Sequence, residues 1–192
     1  LVGSEMCKRD RSCTPFGKQA GRSFKDLTRQ AYLEVLADAG LDDGGRIEQA
    51  WFGNCGMGTF GQRNIRGQVC FTRLVREQLF PERVPMINVE GGCATASMAL
   101  HGAWKDILSG QADFSLAIGV EKTFVPGDPK RTLEIFEGGI DQLDPGEWMA
   151  YYQDVGEQAG KAFNPNEAGG TLFMDTYAMQ GGLAYEGVWH DA

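Results

Sequence analysis

The sequence predicts an α/β domain in which helices cover a mainly parallel mixed sheet, over about residues 1–122. Three observations lead to this fold class: helical stripes of apolar residues, short apolar runs typical of buried strands, and a regular alternation of the two. Strands separated by helices are typical of parallel sheets, because each helical crossover returns the chain to the same end of the sheet.

The first helix is predicted over about residues 24–39. Ser23 and Asp26 have the spacing of a capping box, in which each side chain bonds the backbone N–H of the other residue. Apolar residues then recur at spacings of three and four, and Gly40 stands where a left-handed residue commonly ends a helix. In contrast, residues 1–22 show mixed charge without a period, which predicts a poorly formed strand and a loop.

The remaining elements of the predicted domain alternate along the chain. In order, we expect a strand in residues 47–54, a helix in 64–80, a buried strand in 86–89, a helix in 94–109 and a buried strand in 113–121. Each element is short enough for one compact sheet with helices on its faces.

The character of the sequence changes after residue 122. Proline and glycine become frequent, which predicts a loop-rich segment over residues 123–180 with a short helix near residues 146–161. Long irregular segments of this kind usually serve as lids or interfaces. We therefore separate a loop-domain segment, 123–180, from the α/β domain, 1–122.

Composition limits the possible functions. The 192-residue chain has a formal net charge of -8, so nucleic acid is not an expected partner, because phosphates would repel the average surface. No apolar run approaches the roughly 20 residues that span a bilayer, so no membrane insertion is expected. Five widely spaced cysteines and two histidines predict neither a disulfide framework nor a metal site.

Cys93 is the strongest candidate for a catalytic residue. It follows the predicted strand 86–89 and the pair Gly91 and Gly92, and it precedes the helix 94–109. At a helix amino terminus, free N–H groups and the helix dipole stabilise a thiolate, and the N–H of Cys93 itself can serve an oxyanion hole. Small residues in the first helical turn would let a thin substrate arm reach a buried sulfur. The alternative on spacing alone is a buried structural cysteine.

Two other motifs are weaker. The run Gly56-Met-Gly58-Thr-Phe-Gly61 matches a dinucleotide fingerprint, but Glu77 falls inside a predicted helix, where no ribose-binding acid belongs. A glycine-rich loop at a subunit contact is the favoured interpretation. His101 lies eight residues after Cys93, about 12 Å along the same helix, so it is expected to be a core or interface histidine rather than the base of Cys93.

The segment Gly-Gly-Cys93-Ala-Thr-Ala-Ser-Met-Ala-Leu-His-Gly-Ala, followed by Gly110-Gln-Ala-Asp-Phe-Ser-Leu-Ala-Ile-Gly-Val-Glu-Lys122, resembles the thiolase superfamily. It is most similar to the branch of sterol-carrier-protein-X-like thiolases and bacterial acyl-CoA acetyltransferases. The run Thr14-Pro-Phe-Gly-Lys18 resembles the opening of that branch, and the resemblance covers about residues 14–180.

The resemblance implies the five-layered α/β/α/β/α thiolase fold, of which this chain holds the amino-terminal half and part of the loop domain. It implies that Cys93 accepts an acyl group from acyl-CoA as a thioester. In the degradative direction, it implies that the overall reaction is attack of coenzyme A on a 3-oxoacyl-CoA chain. Coenzyme A and acyl-CoA would be substrates, with no permanently bound cofactor. A homodimer, an OB-fold/zinc-ribbon partner protein in some relatives, and a cytoplasmic or, in a eukaryote, peroxisomal location are also implied.

The sequence departs from the family in two places: residues 1–12, which replace the family's opening strand, are charged and irregular, and the carboxy-terminal half is not present in it. The family's activating histidine and second catalytic cysteine belong to a carboxy-terminal half that this sequence does not contain, so the enzyme is expected to be incomplete as given. Back-translation of residues 183–192, shifted by one nucleotide, permits Leu-His-Met-Lys-Ala-Tyr-Gly-Thr-Thr, which resembles the family's continuation. We therefore expect the tail 181–192 to be frameshifted or disordered.

Two alternatives to a thiolase-type acyltransferase remain open. The first is a non-catalytic fragment, or a subunit that pairs with a full-length homologue. The second is a thiolase-fold aldolase acting on acyl-CoA side chains, against which the intact Gly-Gly-Cys93 motif weighs, because such chemistry needs no nucleophilic thiol.

Overall fold

The computed structural model describes residues 11–158 and residue 160. The chain divides into two compact units, Leu1–Pro129 and Lys130–Ala192, which we describe separately. The predicted domain boundary near residue 122 stays a prediction, and the predicted tail 181–192 lies outside the described residues.

A three-stranded parallel sheet forms the centre of the first unit. Its strands are, in chain order, Gln49–Gly53 (β1), Met86–Val89 (β2) and Ser115–Gly119 (β3). The spatial order is β2-β1-β3, and Trp51 of β1 pairs with Ile87 on one side and Ala117 on the other. The expected α/β fold with a parallel sheet is thereby confirmed.

Helices cover both faces of this sheet. They are Phe24–Asp38 (α1), Arg66–Arg76 (α2) and Thr95–Ser109 (α3). Successive side chains of a strand point to opposite faces, so Phe52 of β1 faces α2 while Trp51 faces α3. A Cβ added at Gly102 of α3 would lie 2.4 Å from the Trp51 ring, so α3 approaches the sheet closely at this glycine.

The main hydrophobic core lies between the sheet and the pair α1 and α2. Its aromatic rings meet edge to face: the Phe71 centroid lies 4.6 Å from that of Phe80, 5.4 Å from Tyr32 and 6.4 Å from Phe52. The buried Tyr32 hydroxyl donates to the Leu79 carbonyl oxygen at 2.7 Å. Burial raises the pKa of Tyr32, so its hydroxyl stays protonated and the hydrogen bond persists through neutral pH.

The first predicted helix is confirmed in detail. The Asp26 N–H donates to Ser23 Oγ at 3.1 Å, and the Ser23 N–H donates to Asp26 Oδ2 at 3.0 Å, which completes the capping box. Gly40 follows the helix with a φ of +65°, as expected for a left-handed terminator. Residues 11–22, the described part of the predicted first strand and loop, contain no strand.

Some element predictions were wrong in extent. The helix predicted over 64–80 ends at Arg76, because the N–H groups of both Leu79 and Phe80 turn back to bond the Leu74 carbonyl oxygen. That reversal carries Phe80 into the core. The predicted buried strand 86–89 is only half-buried, because β2 is an edge of the described sheet and lacks a strand on its outer side.

Within residues 120–158, two helices follow β3. They are Pro129–Glu137 (α4), which was not predicted, and Pro145–Gln158 (α5), which matches the predicted helix near 146–161. Pro129 favoured a loop at the sequence level, yet it occupies the first helical position, where its missing N–H is not needed. Among the described residues, no helix has both the length and the apolar character required to cross a bilayer.

Candidate active site

The segments that follow the three strands meet at the carboxyl edge of the sheet. The Asn54 N–H donates to the Val89 carbonyl oxygen at 3.3 Å, and the Val120 N–H donates to the Gly53 carbonyl oxygen at 3.2 Å. These bonds bring together the residues after β1, β2 and β3. In open parallel sheets this edge is the usual location of ligand sites.

Cys93 lies in a single 3-10 turn, Gly92–Ala94, that runs directly into α3. Two hydrogen bonds close the turn: the Ala94 N–H donates to the Gly91 carbonyl oxygen at 3.0 Å, and the Thr95 N–H donates to the Gly92 carbonyl oxygen. Neither bond uses the N–H of Cys93 itself. The structure therefore places the thiol between the end of β2 and the amino terminus of α3, where the sequence predicts it.

The exposure of Cys93 differs from the expectation. The sulfur-bearing residue is exposed, so the predicted buried sulfur and the alternative of a buried structural cysteine are both wrong. The physical reason is that its turn lies beyond the end of β2, where residues 90–94 all remain exposed. Cys70 of α2 is instead a buried cysteine: it is 1% exposed, and burial raises the pKa of its thiol.

Glycines permit the close geometry of the turn. Gly92 has a φ of +56°, in the left-handed region that residues with a Cβ rarely adopt. A Cβ added at Gly53, the last residue of β1, would lie 2.9 Å from Thr95 Cγ2. The start of α3 therefore packs directly over the end of the central strand.

Hydrogen bonds of the Thr95 side chain stabilise the turn that contains Cys93. Its side chain is buried, and its Oγ1 accepts the Gly91 N–H at 2.9 Å and donates to the Gly92 carbonyl oxygen at 2.8 Å. The sequence patterns predict no role for Thr95. The available signal was a threonine three residues after Gly92, since threonine hydroxyls often bond nearby backbone groups at helix starts.

A second cysteine, Cys55, which lies two residues after the end of β1, contacts the same turn. Its Sγ lies 2.9 Å from Thr95 Oγ1, 3.1 Å from the Gly92 carbonyl oxygen and 3.6 Å from Glu90 Oε1. Burial raises the pKa of the Cys55 thiol, its hydrogen bond with Thr95 acts in the opposite direction, and the charges of Glu121 and Glu90 raise the pKa further. The sequence offered no local signal for this contact.

Glu121 and Asn54 fix the backbone of Cys55. The Glu121 carboxylate accepts the N–H groups of Cys55 at 2.8 Å and Gly56 at 3.1 Å. Asn54, which is 2% exposed, donates from Nδ2 to the Val120 carbonyl oxygen at 2.6 Å and accepts the Met57 N–H at 3.0 Å. The end of β1 is thereby tied to the end of β3.

The glycine-rich run does not have the geometry of a dinucleotide site. Gly56–Phe60 forms a 3-10 turn, whose amino terminus is already capped by the Glu121 carboxylate. The next helix begins only at Arg66, so the glycines do not open it. Glu77 pairs with arginines, 3.0 Å from Arg29 and 2.6 Å from Arg73, rather than pointing to a ligand site.

His101 remains apart from Cys93. His101 is exposed on α3 and stacks on Trp104, with ring centroids 5.5 Å apart and an interplanar angle of 25°. The expectation of a core position is therefore wrong, while that of an interface position stays a prediction. His190 lies outside the described residues. Within those residues, no cluster of three or more histidine, cysteine or acidic side chains could hold a metal ion.

The chain has an α/β domain, because helices cover both faces of a parallel sheet. Its candidate site is the turn with Cys93, beyond the carboxyl ends of the strands. A family model described as "Thiolase, N-terminal domain" matches residues 10–126, more than half of the chain. The chain therefore belongs to the thiolase family, whose N-terminal domain it carries.

Individual relatives agree with the branch that the sequence resembles. The acetyl-CoA acetyltransferase of Methanocaldococcus jannaschii is 36% identical over 110 residues, which cover 57% of this chain and 26% of that protein. Sterol carrier protein 2 of Bos taurus is 37% identical over 131 residues, covering 64% of this chain and 22% of that protein.

A third relative is a subunit of a larger enzyme. The BbsB subunit of benzoylsuccinyl-CoA thiolase from Thauera aromatica is 33% identical over 108 residues, which cover 56% of this chain and 26% of that subunit. The chain thus spans about a quarter of the length of the curated relatives it matches.

Proposed function

We propose that the chain supplies the acyl-accepting cysteine of a thiolase-type acyl-CoA acyltransferase, with Cys93 as the nucleophile. The observation that carries this proposal is the exposed thiol of Cys93 at the amino terminus of α3, in a chain of the thiolase family. The relatives named acetyl-CoA acetyltransferase and benzoylsuccinyl-CoA thiolase support an acyl-CoA substrate.

The proposed step is a thioester exchange. The Cys93 thiolate attacks the carbonyl carbon of acyl-CoA, a bond forms from that carbon to the Cys93 sulfur, and the bond to the coenzyme A sulfur breaks. Coenzyme A leaves as a thiolate and takes up a proton. The negative charge on the carbonyl oxygen in the intermediate requires hydrogen-bond donors, and the Cys93 N–H, which neither closing bond of the turn uses, is one candidate.

Proton transfer is assigned to residues outside this chain. The resemblance places the activating histidine and a second cysteine in the carboxy-terminal half of the family. His101 does not replace that histidine, because it lies about two helical turns after Cys93 on α3 and stacks on Trp104. We therefore expect the chain alone to accept an acyl group from a reactive donor without sustaining turnover.

The remaining expectations belong to the whole protein. We propose that coenzyme A and acyl-CoA bind as substrates rather than as a resident cofactor, and that the enzyme acts in lipid metabolism such as fatty acid β-oxidation. A homodimer, an OB-fold/zinc-ribbon partner and a cytoplasmic or peroxisomal location are proposed with it. The relative named as a subunit of benzoylsuccinyl-CoA thiolase supports assembly with another chain.

Acylation of the purified chain tests the nucleophile. After incubation with acetyl-CoA, peptide mass spectrometry should find one acetyl group on Cys93, with release of an equal amount of free coenzyme A. Cys93→Ala should abolish both signals, while Cys13→Ala, at another exposed cysteine, should leave them unchanged. Acetylation spread equally over Cys13 and Cys93 would contradict the proposal.

A further inference from the structure

We propose that Cys55 is a positioning residue for Cys93: its side chain, in contact with Thr95, holds the Gly91–Cys93 turn in the conformation that presents the reacting sulfur. This inference rests on the proposed function, in which Cys93 accepts the acyl group. It assigns different roles to two cysteines that lie at the same edge of the sheet.

The hydrogen bonds from Cys55 form a connected chain into the turn. Cys55 Sγ lies 2.9 Å from Thr95 Oγ1, and the Thr95 hydroxyl donates to the Gly92 carbonyl oxygen at 2.8 Å. Because the hydroxyl hydrogen is used in that bond, we assign the Cys55 S–H as the donor to Thr95; Cys55 Sγ also lies 3.1 Å from the Gly92 carbonyl oxygen. Thr95 Oγ1 also accepts the Gly91 N–H at 2.9 Å. In this arrangement the single hydroxyl hydrogen is used once, and the oxygen accepts twice, which matches its two lone pairs.

The turn needs such support because it contains two consecutive glycines. Glycine has more backbone freedom than any other residue, and Gly92 must be held at a φ of +56° for the turn to form. Cys93 follows Gly92 directly, so a rotation of the Gly92 peptide would change the direction of the Cys93 N–H. A contact to the Gly92 carbonyl oxygen therefore controls the group that we assign to the oxyanion.

The local charges keep Cys55 in the role of a donor. Burial raises the pKa of its thiol, and the carboxylates of Glu121 and Glu90 raise it further against the opposing effect of the Thr95 bond. A thiol that stays protonated at neutral pH is a poor nucleophile but a persistent donor. The backbone of Cys55 is itself anchored, since its N–H donates to Glu121 Oε2 at 2.8 Å.

Site-resolved alkylation tests the positioning role. The purified chain is treated with limiting iodoacetamide, and the modification rate of each cysteine is followed by peptide mass spectrometry. We expect Cys55→Ala to slow alkylation of Cys93 by roughly three- to tenfold, the range set by one net hydrogen bond. Cys55→Ser, which keeps a donor and an acceptor, should restore the rate to within about twofold, as expected from hydrogen bonding alone.

Matched variants separate positioning from general damage. Cys13→Ala should leave Cys93 alkylation unchanged, and Thr95→Val should slow it as Cys55→Ala does, while Thr95→Ser should not. If Cys55→Ala is too unstable to purify, the Thr95 pair carries the comparison. Thermal unfolding of each variant identifies rates that fall only because the fold is lost.

The possible outcomes distinguish this inference from the function beneath it. If Cys93 reacts as fast in Cys55→Ala as in the wild type, the positioning role of Cys55 alone is overturned, whatever the effect of Thr95→Val. Equal slowing by Cys55→Ser and Cys55→Ala also overturns it, because hydrogen bonding would then be irrelevant. A wild-type Cys93 that reacts no faster than Cys13 overturns the proposed nucleophile, and the positioning role with it.

Discussion

The indole N–H of Trp51 donates to Asp106 Oδ2 at 2.7 Å, across the contact between β1 and α3. The same carboxylate oxygen accepts the Ser115 hydroxyl at 2.8 Å, and Asp106 is only 5% exposed. One acidic side chain on the helix therefore joins the central strand to its neighbour β3. Because α3 begins at the turn that carries Cys93, this contact also fixes the helix on which the candidate site depends.

Removing that carboxylate is expected to destabilise the domain. Asp106→Ala leaves the Trp51 N–H and the Ser115 hydroxyl without their acceptor, which should lower the free energy of unfolding by about 2 kcal/mol. Asp106→Asn retains an accepting oxygen and should lose less. Urea denaturation measures both, with Asp42→Ala at an exposed position as the control. Equal stability of Asp106→Ala and wild type would show that the network contributes nothing.

The close approach of α3 to the sheet gives a second prediction. A Cβ at Gly102 would lie 2.4 Å from the Trp51 ring, so Gly102→Ala should force α3 outward and reduce stability by about 1–3 kcal/mol. This result would run against intrinsic helix propensity, which favours alanine over glycine by about 1 kcal/mol. Gly21→Ala, where nothing lies within 4 Å, is the matched control. A thermal midpoint that rises in Gly102→Ala would contradict the packing argument.

The order of elements could be predicted from the sequence because it depends on local periodicity. Ser23 and Asp26 are three residues apart, and the stripe of α1 repeats every three or four residues, so short-range physics decides both. The placement of Cys93 likewise needs only a strand, two glycines and a helix in succession. These features are encoded within windows of about fifteen residues.

The contacts of Cys55 and Glu121 could not be predicted in the same way. They are separated by 66 residues, and they meet only because β1 lies between β2 and β3 in the sheet. Local patterns predict three strands without saying which is central. The exposure of Cys93 and the half-burial of β2 were missed for a related reason, since both depend on where the described sheet ends.

Acid should weaken the ion pairs of Glu77, which connect the end of α2 to Arg29 of α1 and to Arg73 of α2 itself. A hydrogen bond from Arg73, and to a smaller extent one from Arg29, lowers the pKa of Glu77. The stability that the charged Glu77 contributes to the fold is therefore complete above its ordinary pKa of 4.5, and it is lost as the pH falls through the lowered pKa. Glu77→Gln should therefore unfold at a lower temperature than wild type at pH 7, and the difference should shrink near pH 3.

Two controls accompany the Glu77 measurement. Glu82→Gln, at an exposed position, should show little difference from wild type at either pH. Added salt should also reduce the effect of Glu77→Gln, because both partners of the Arg29 pair remain about one-third exposed, at 33% and 30%. A difference that grows on acidification would have the wrong sign for a carboxylate held in its charged form.

Gly92 provides the sharpest link between backbone geometry and the proposed chemistry. Its φ of +56° requires the left-handed region, so Gly92→Ala should strain the turn by about 1–2 kcal/mol and displace the Cys93 N–H. Gly92→Asn should be milder, because asparagine tolerates this region better than alanine does. We expect acetylation of Cys93 by acetyl-CoA to fall in the order wild type, Gly92→Asn, Gly92→Ala, measured by peptide mass spectrometry. A Cβ at Gly92 would meet nothing within 4 Å, so steric contact opposes neither substitution. An unchanged acetylation rate in Gly92→Ala would therefore show that the left-handed turn is not needed to present the thiol.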